Sequence, residues 1–237
     1  MRFLRVVWMA AIVLGLSLVS GAQQNGEWMS SSDAGEKIQN LDVIKKQLRD
    51  YYTCTCSCGC YQKDLDAQAE KAIVFLKNRA AHRKAGEKLT MVLDIDETSL
   101  SNYEVMRKDD FGFNSSEFNS WLEAGKAPAI PGTLRLFQQA KQLGVSVIFL
   151  TGRAESQRAA TERNLRAQGF EGWEKLILRT VDEKKQTATV YKSSERAKLV
   201  ASGYTLVLSV GDQWSDLKGA PEAEFSVKYP NPYYFLP

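Results

Sequence analysis

The sequence has 237 residues, of which 44% are hydrophobic and 25% are charged, and its formal net charge is +3. This length fits one α/β domain with a small appendage, and the composition excludes collagen-like, disordered and multi-span membrane proteins. The single histidine, His82, excludes a histidine-rich metal cluster and a two-histidine metalloprotease motif. We therefore expect any catalysis to use carboxylates, lysine and hydroxyl groups.

Residues 1–22 have the form of a secretory signal peptide. Arg2 and Arg5 precede a mostly apolar run over residues 6–19, and small residues occupy positions −3 and −1 of a cut after Ala22. The run is shorter than the ~20 residues of a membrane span, which favours cleavage over anchoring. Removal lowers the net charge from +3 to +1, so no nucleic-acid polymer is expected as a partner. We expect a secreted or periplasmic protein without a stable membrane anchor.

Two helices are predicted next, on either side of a cysteine-rich segment. Apolar residues recur at helical spacing over residues 34–52, where Asp33 can cap the start, and over residues 64–84. The cysteines between them alternate with small residues: Cys54, Cys56, Cys58 and Cys60. In an extended segment their thiols spread over roughly 20 Å, so binding one tetrahedral metal requires the segment to curl. We expect local or intermolecular disulfides ahead of soft-metal binding, and soft-metal binding ahead of reduced thiols.

From residue 89 onward, apolar strands alternate with helices. Strands are predicted over residues 89–95, 145–150, 176–178, 187–191 and 204–210. Helices are predicted over residues 131–143, 155–168 and 193–201, and residues 103–129 are expected to be irregular. The YPNPYYFLP string at residues 229–237 is expected to pack on the body of the domain. The βαβα order predicts a mostly parallel sheet with helices on both faces, which is a three-layer α/β fold.

Polar residues follow the predicted strands, where the binding crevice of such a fold lies. These residues are Asp94, Asp96, Thr151, Lys192, Asp212 and Asp216. The carboxyl ends of parallel strands meet at one edge of a sheet, so we expect these side chains to converge there. Carboxylates, a hydroxyl and an ammonium group at one site fit phosphoryl transfer.

Each predicted role follows from the chemistry of the residue. Asp94 is the candidate nucleophile, forming an acyl phosphate, and Asp96 is the candidate acid and base. A magnesium ion between Asp94 and Asp212 would neutralise carboxylates that face an anionic substrate. Lys192 and Thr151 are expected to contact the phosphoryl oxygens.

Four strings resemble the four motifs of the haloacid dehalogenase (HAD) superfamily. They are DIDET at 94–98, LTGR at 150–153, YKSSER at 191–196 and GDQWSD at 211–216. The longer string VLDIDETSLSNY resembles the acid-phosphatase branch, which includes bacterial class B and class C acid phosphatases and plant enzymes related to vegetative storage proteins. DxDxT alone is a weak signal, but four elements in order, each at a strand end, are a strong one. The resemblance spans about residues 35–230.

This resemblance implies a Rossmann-like HAD fold with a small helical cap and N-terminal helices. It also implies a secreted, Mg²⁺-dependent acid phosphatase that hydrolyses phosphate monoesters, nucleoside monophosphates among them, through an aspartyl-phosphate and with an acidic optimum. Magnesium is then held by the Asp94 and Asp212 side chains and the Asp96 carbonyl, with Asp216 supporting the metal shell. Some plant storage relatives lack the nucleophilic aspartate, whereas this chain retains Asp94, so activity is expected.

The sequence indicates the residues that contact the leaving group less clearly than it indicates the catalytic residues. Residues 103–130 are predicted to form a cap inserted in a single domain over residues 23–237. Most of the cap's aromatic rings are expected in its own core, whereas Tyr103 and Trp214, each beside a motif, are expected to stack on a nucleobase or aryl group. Arg153 has two expected roles, substrate contact or pairing with an acid. The alternatives are a non-catalytic phosphate-ligand-binding or storage protein, and a metal-binding protein centred on the cysteine segment.

Overall fold

The computed structural model describes residues 38–54 and 60–236. The predicted signal peptide, Cys56 and Cys58 lie outside these residues, so the predictions about them stay predictions. Leu41–Pro237 forms one compact unit. Within the described ranges, every helix is too short or too polar to cross a bilayer.

A parallel sheet of five strands, counted over the described residues, forms the centre of the fold, in the order β3-β2-β1-β4-β5. The strands are β1 Lys88–Leu93, β2 Ser146–Ala154, β3 Lys175–Arg179, β4 Tyr204–Gly211 and β5 Phe225–Lys228. Leu93 of β1 pairs with Phe149 of β2 and with Val210 of β4. The carboxyl ends of these three strands therefore meet at one edge, and the predicted α/β class is confirmed.

Helices cover both faces of the sheet. They are α1 Leu41–Thr53, α2 Tyr61–Ala81, α3 Tyr103–Lys108, α4 Ser115–Ala124, α5 Pro131–Gln142, α6 Arg158–Ala167, α7 Ala188–Ala201 and α8 Trp214–Leu217. Side chains alternate along β1: Met91 joins the larger core with α2 and α5, whereas Val92 joins the smaller core under α7. The predicted three-layer arrangement is confirmed by this division of the apolar residues.

The prediction of a strand over residues 187–191 is wrong. These residues begin α7, where the Thr187 side chain accepts a hydrogen bond from Val190 N–H at 3.3 Å. The alternating β-branched residues favour a strand locally, but the N-cap and the complete burial of Tyr191 against the sheet favour the helix. The prediction also omitted β5, and the segment expected to be irregular contains α3 and α4.

The insert between β1 and α5 is closed at its base. Ser101 N–H donates to Pro128 O at 2.9 Å, and Ile130 N–H donates to Ser99 O at 2.9 Å. Beside this base, Asn164 of α6 forms two hydrogen bonds with the Ala127 backbone, at 3.1 and 2.8 Å. The ends of the insert are therefore joined to each other and to the body of the domain.

Candidate active site

The loop after β1 presents two aspartates at the edge of the sheet. Asp94 N–H donates to Val210 O at 3.0 Å, so the sheet pairing continues to the first aspartate. The chain then turns tightly, because Ile95 O accepts hydrogen bonds from the backbone of Ser99 and Leu100 at 2.8 Å each. This turn leaves the Asp94 and Asp96 side chains facing the space beyond the strand ends.

Lys192 forms the centre of a buried charge cluster. Its Nζ donates to Asp94 Oδ1 at 2.7 Å and to Asp216 Oδ1, and all three residues are buried. Burial raises the pKa of Asp94 well above its usual range, and Lys192 opposes that shift. Burial acts to lower the pKa of Lys192, but Asp216 and Asp94 outweigh it and raise that pKa. The lysine is therefore held in its charged form beside the candidate nucleophile.

Three of these carboxylates form a candidate metal site. Asp94, Asp212 and Asp216 are buried, and each offers an oxygen within 4.8 Å of the others. Burial and the neighbouring Asp216 raise the pKa of Asp212 to about 6. Mutual repulsion of this kind is relieved by a cation, and an all-oxygen donor set suits a hard divalent ion. The residues present therefore fit such a metal.

Asp216 reaches this cluster because Gly211 has no side chain. A Cβ at Gly211 would overlap the Asp216 carboxylate. The Asp216 Oδ2 atom also accepts a hydrogen bond from Gln213 N–H at 2.8 Å, which fixes the first turn of α8. The GDQWSD string therefore needs a glycine at position 211, because a side chain there would displace the Asp216 carboxylate.

Arg153 pairs with an acid, which is one of its two expected roles, and it also lines the cavity described below, so substrate contact stays a prediction. Its Nε lies 3.1 and 3.0 Å from the Asp96 carboxylate oxygens, and its Nη2 lies 2.6 Å from Oδ1. Burial acts to raise the pKa of Asp96, but Arg153 outweighs it and the pKa is lowered. Thr151 is fully buried, and its hydroxyl accepts a hydrogen bond from Arg153 N–H at 3.2 Å.

Asn102 connects the same aspartate to the insert, and the sequence analysis did not identify it. Its Nδ2 donates to Asp96 Oδ1 at 2.8 Å, and its Oδ1 accepts from Trp121 Nε1 of α4 at 2.8 Å. Its backbone N–H donates to Glu97 at 2.6 Å, which helps to hold Glu97 at a positive φ of 55°. The only sequence signal for this role is the position of Asn102 at the end of the VLDIDETSLSNY string.

A cavity of about 580 Å³ opens over these charges. Its polar floor consists of Asp94, Asp96, Arg153, Lys192 and Asp212. Its apolar wall consists of Phe111, Phe113 and Phe118 from the insert and Tyr233, Tyr234 and Leu236 from the segment after β5. Of the predicted site residues, Asp94, Asp96, Lys192 and Asp212 therefore line one cavity, whereas Thr151 and Asp216 are not among its lining residues.

The two rings expected to stack on a substrate do not reach this cavity. Tyr103 is 2% exposed and stacks on Tyr52 of α1, with ring centroids 3.4 Å apart. Trp214 is 49% exposed, and its ring faces Lys218 and Lys228 at 4.7 and 5.8 Å. Both rings lie next to a motif in sequence, but neither is among the residues that line the cavity.

Comparisons with known proteins show what the whole chain is similar to. The sequence matches the family described as HAD superfamily, subfamily IIIB (Acid phosphatase), over residues 16–237. Acid phosphatase 1 of Solanum lycopersicum is 44% identical over 197 residues, covering 82% of this chain and 76% of that protein. Vegetative storage protein 1 of Arabidopsis thaliana is 35% identical over 208 residues, covering 84% and 74%. The class C acid phosphatase of Bacillus anthracis has a similar fold, with a TM-score of 0.66 at 22% identity, covering 81% and 86%.

Proposed function

Because the chain belongs to the HAD superfamily, subfamily IIIB (acid phosphatase), we propose that it hydrolyses small phosphate monoesters through an aspartyl-phosphate on Asp94. As a member of this family, the protein is a phosphoric monoester hydrolase. We also propose that its activity is highest at acidic pH, as the family resemblance implies. The observation that carries the mechanism is the buried contact of Asp94 Oδ1 with Lys192 Nζ, 2.7 Å long, at the floor of the cavity. A fixed cation offsets the repulsion between a carboxylate nucleophile and an anionic phosphoryl group.

The reaction consists of two displacements at phosphorus. Asp94 attacks, a bond forms between its carboxylate oxygen and phosphorus, and the bond to the leaving oxygen breaks while Asp96 gives that oxygen a proton. Asp96 then takes a proton from water, whose oxygen attacks phosphorus, so that phosphate leaves and Asp94 is restored. The first step requires Asp96 in its protonated form, which an acidic medium favours. The contacts with Arg153 lower the pKa of Asp96 and favour the carboxylate, the form that takes a proton from water in the second step.

The remaining polar residues bind the cofactor and the phosphoryl oxygens. Magnesium would be held by the side chains of Asp94 and Asp212 and the carbonyl of Asp96, with Asp216 supporting them. When bound, the ion supplies Lewis-acid stabilisation of the charge on the phosphoryl oxygens. Lys192 and Thr151 contact those oxygens in the proposal.

The leaving group is proposed to be aromatic. The apolar wall offers aromatic faces from the insert and from Tyr234 beside the catalytic carboxylates. Aryl groups and nucleobases bury flat apolar surface against such faces, and a simple sugar has no flat apolar surface of that kind. Nucleoside monophosphates and aryl phosphates are therefore proposed ahead of sugar phosphates.

We also propose that the protein is secreted, because residues 1–22 have the form of a signal peptide.

A storage role is the second candidate function. It is favoured by relatives named as storage proteins, of which vegetative storage protein 2 of Arabidopsis thaliana is 32% identical over 208 residues. The intact Asp94 and its buried lysine partner favour catalysis over storage alone.

Hydrolysis of an aryl phosphate tests the proposal. Wild type should release phosphate, EDTA should abolish turnover, and Mg²⁺ should restore it. Asp94→Asn should lower kcat by a factor on the order of 10⁴ to 10⁶, as expected for loss of a nucleophile. Asp50→Asn, which changes an exposed aspartate on α1, is the matched control and should leave kcat unchanged. Turnover that survives Asp94→Asn contradicts the mechanism, and a folded wild type without turnover favours storage.

A further inference from the structure

After β5 the chain passes back over the carboxylates of the site. Tyr229 N–H donates to Gly211 O at 2.8 Å, directly before Asp212. Asn231 then folds the chain, because its Oδ1 accepts hydrogen bonds from Tyr233 N–H at 2.8 Å and from Tyr234 N–H at 3.4 Å. These contacts identify the other side-chain atom of Asn231 as the amide donor.

That amide faces the candidate metal ligand. Asn231 Nδ2 donates to Asp212 Oδ2 at 2.7 Å, and Gln213 Nε2 donates to the same oxygen at 2.6 Å. The other oxygen, Asp212 Oδ1, accepts only the Thr98 hydroxyl among these contacts, at 3.2 Å. The two amides therefore occupy Oδ2 and leave Oδ1 with a lone pair for a cation.

Further hydrogen bonds fasten residues 231–236, which we call the return segment, to both carboxylate-bearing loops. Leu236 N–H donates to Gln213 Oε1 at 3.0 Å, next to Asp212. Tyr234 OH donates to Glu97 Oε2 at 2.8 Å, next to Asp96. The segment is thus held on the loop after β4 and on the loop after β1.

We infer that the return segment is part of the cation site and that Asn231 is the positioning residue for Asp212. The inference rests on the proposed function, because the cation concerned is the proposed cofactor. Without the Asn231 amide, the Asp212 carboxylate loses one of the three donors that fix its rotation, and the cation must order it on binding. Partners of this kind in the outer shell of a metal site commonly change affinity by about 10- to 100-fold.

Titration of Mg²⁺ into the full chain by calorimetry tests the inference. Asn231→Ser is the informative variant, because a serine hydroxyl can still accept from the backbone of the turn but is too short to reach Asp212. We expect Asn231→Ser to weaken Mg²⁺ binding by about 10- to 100-fold. Saturating Mg²⁺ should restore kcat towards wild type, which a general loss of structure would not allow. Phe235→Ala is the control within the segment, since its ring is 70% exposed, and it should bind Mg²⁺ as wild type does.

The outcomes separate the inference from the proposed function. Equal Mg²⁺ affinity in Asn231→Ser and wild type overturns the inference alone, as does a loss of kcat that saturating Mg²⁺ does not restore. A wild type that does not bind Mg²⁺ overturns the cofactor proposal and the inference with it. If Asn231→Ser does not fold, Asn231→Thr is the second variant, because its hydroxyl also accepts from the backbone of the turn and does not reach Asp212, and unchanged Mg²⁺ affinity in that variant overturns the inference.

Discussion

The polar floor and the apolar wall of the cavity line the same space but are assembled differently. Most residues of the floor lie at or directly beyond the ends of central strands, and the sheet fixes their positions. The wall comes from the insert and the return segment, which are far apart in the sequence and meet through tertiary packing. This difference indicates that substitutions in the wall can change which leaving group is preferred without changing the residues of the floor that carry out the reaction.

Among the changes that keep the Asp94 nucleophile, the largest expected effect comes from replacing Lys192 in the floor. Lys192→Met leaves the buried Asp94 and Asp216 facing each other without their cation, so kcat/KM should fall by on the order of 10² to 10³ or more. Lys192→Arg should not restore activity, because a planar guanidinium does not replace a compact ammonium group. Lys198→Met, an exposed change on the same helix, is the control in a steady-state assay. A Lys192→Met enzyme with near wild-type kcat/KM contradicts this account of the floor.

A second change alters the packing beneath the floor, at Gly211, and leaves the charged residues of the floor in the sequence. Gly211→Ala forces the Asp216 carboxylate to move, so we expect a loss of about 1–3 kcal/mol in the free energy of unfolding together with reduced activity. Gly152→Ala is the matched control, because nothing lies within 4 Å of a Cβ there. Denaturant titration of both variants measures the difference. Equal stability of the two variants contradicts the packing argument.

A change in the wall should affect the substrate and leave the chemistry intact. The Phe113 ring is 74% exposed, so Phe113→Ala should fold normally. Its loss removes about 0.5–1.5 kcal/mol of aromatic contact, and KM for an aryl phosphate should rise by about 2- to 10-fold. KM for a methyl phosphate and both kcat values should stay near wild type, as should all constants of Phe235→Ala. An equal rise in KM for both substrates would remove the distinction between floor and wall.

The smallest expected effect comes from a change outside the floor and the wall, which should alter stability slightly and leave activity unchanged. Arg79 pairs with Glu87 at 2.7 Å, and this hydrogen bond lowers the pKa of Glu87 from 4.5 to about 2. A lowered pKa in the folded state means that the pair stabilises the fold above about pH 4.5, and that this contribution is lost as the pH falls towards 2. Glu87→Gln should therefore lower Tm slightly at neutral pH and converge with wild type near pH 2. Its activity at the optimum should not change, and a constant Tm difference at all pH values would contradict the linkage.

Much of the floor could be predicted from the sequence because its residues follow recognisable apolar runs. Asp94, Asp96 and Asp212 come directly after buried strands, and a parallel sheet brings such residues to one edge. The sequence indicated Lys192 as a site residue, but it also indicated a strand directly before Lys192, where the structure has helix α7. Its neighbours have strand-forming side chains, whereas the Thr187 cap and the packing of Tyr191 favour the helix.

The wall could not be predicted in the same way, because exposure of a ring depends on distant residues. Tyr103 lies close to the first motif, but stacking on Tyr52 of α1 buries it. Asn231 contacts Asp212 from 19 positions away in the chain, and no periodicity indicates such a contact. Sequence patterns report which face of an element is apolar, whereas the meeting of two segments depends on tertiary packing.

The closed base of the insert has a consequence for engineering and for divergence. Residues 99–101 and 128–130 are joined by backbone hydrogen bonds. The entropy of closing a flexible loop between such fixed ends grows only slowly with the length of the loop. We therefore expect the part of the insert beyond the buried Tyr103, Val105 and Met106 to behave as an exchangeable cassette. A shorter or longer cassette would reshape the leaving-group space while the sheet and its charged residues stay in place, provided that the Asn102 contact to Asp96 is kept.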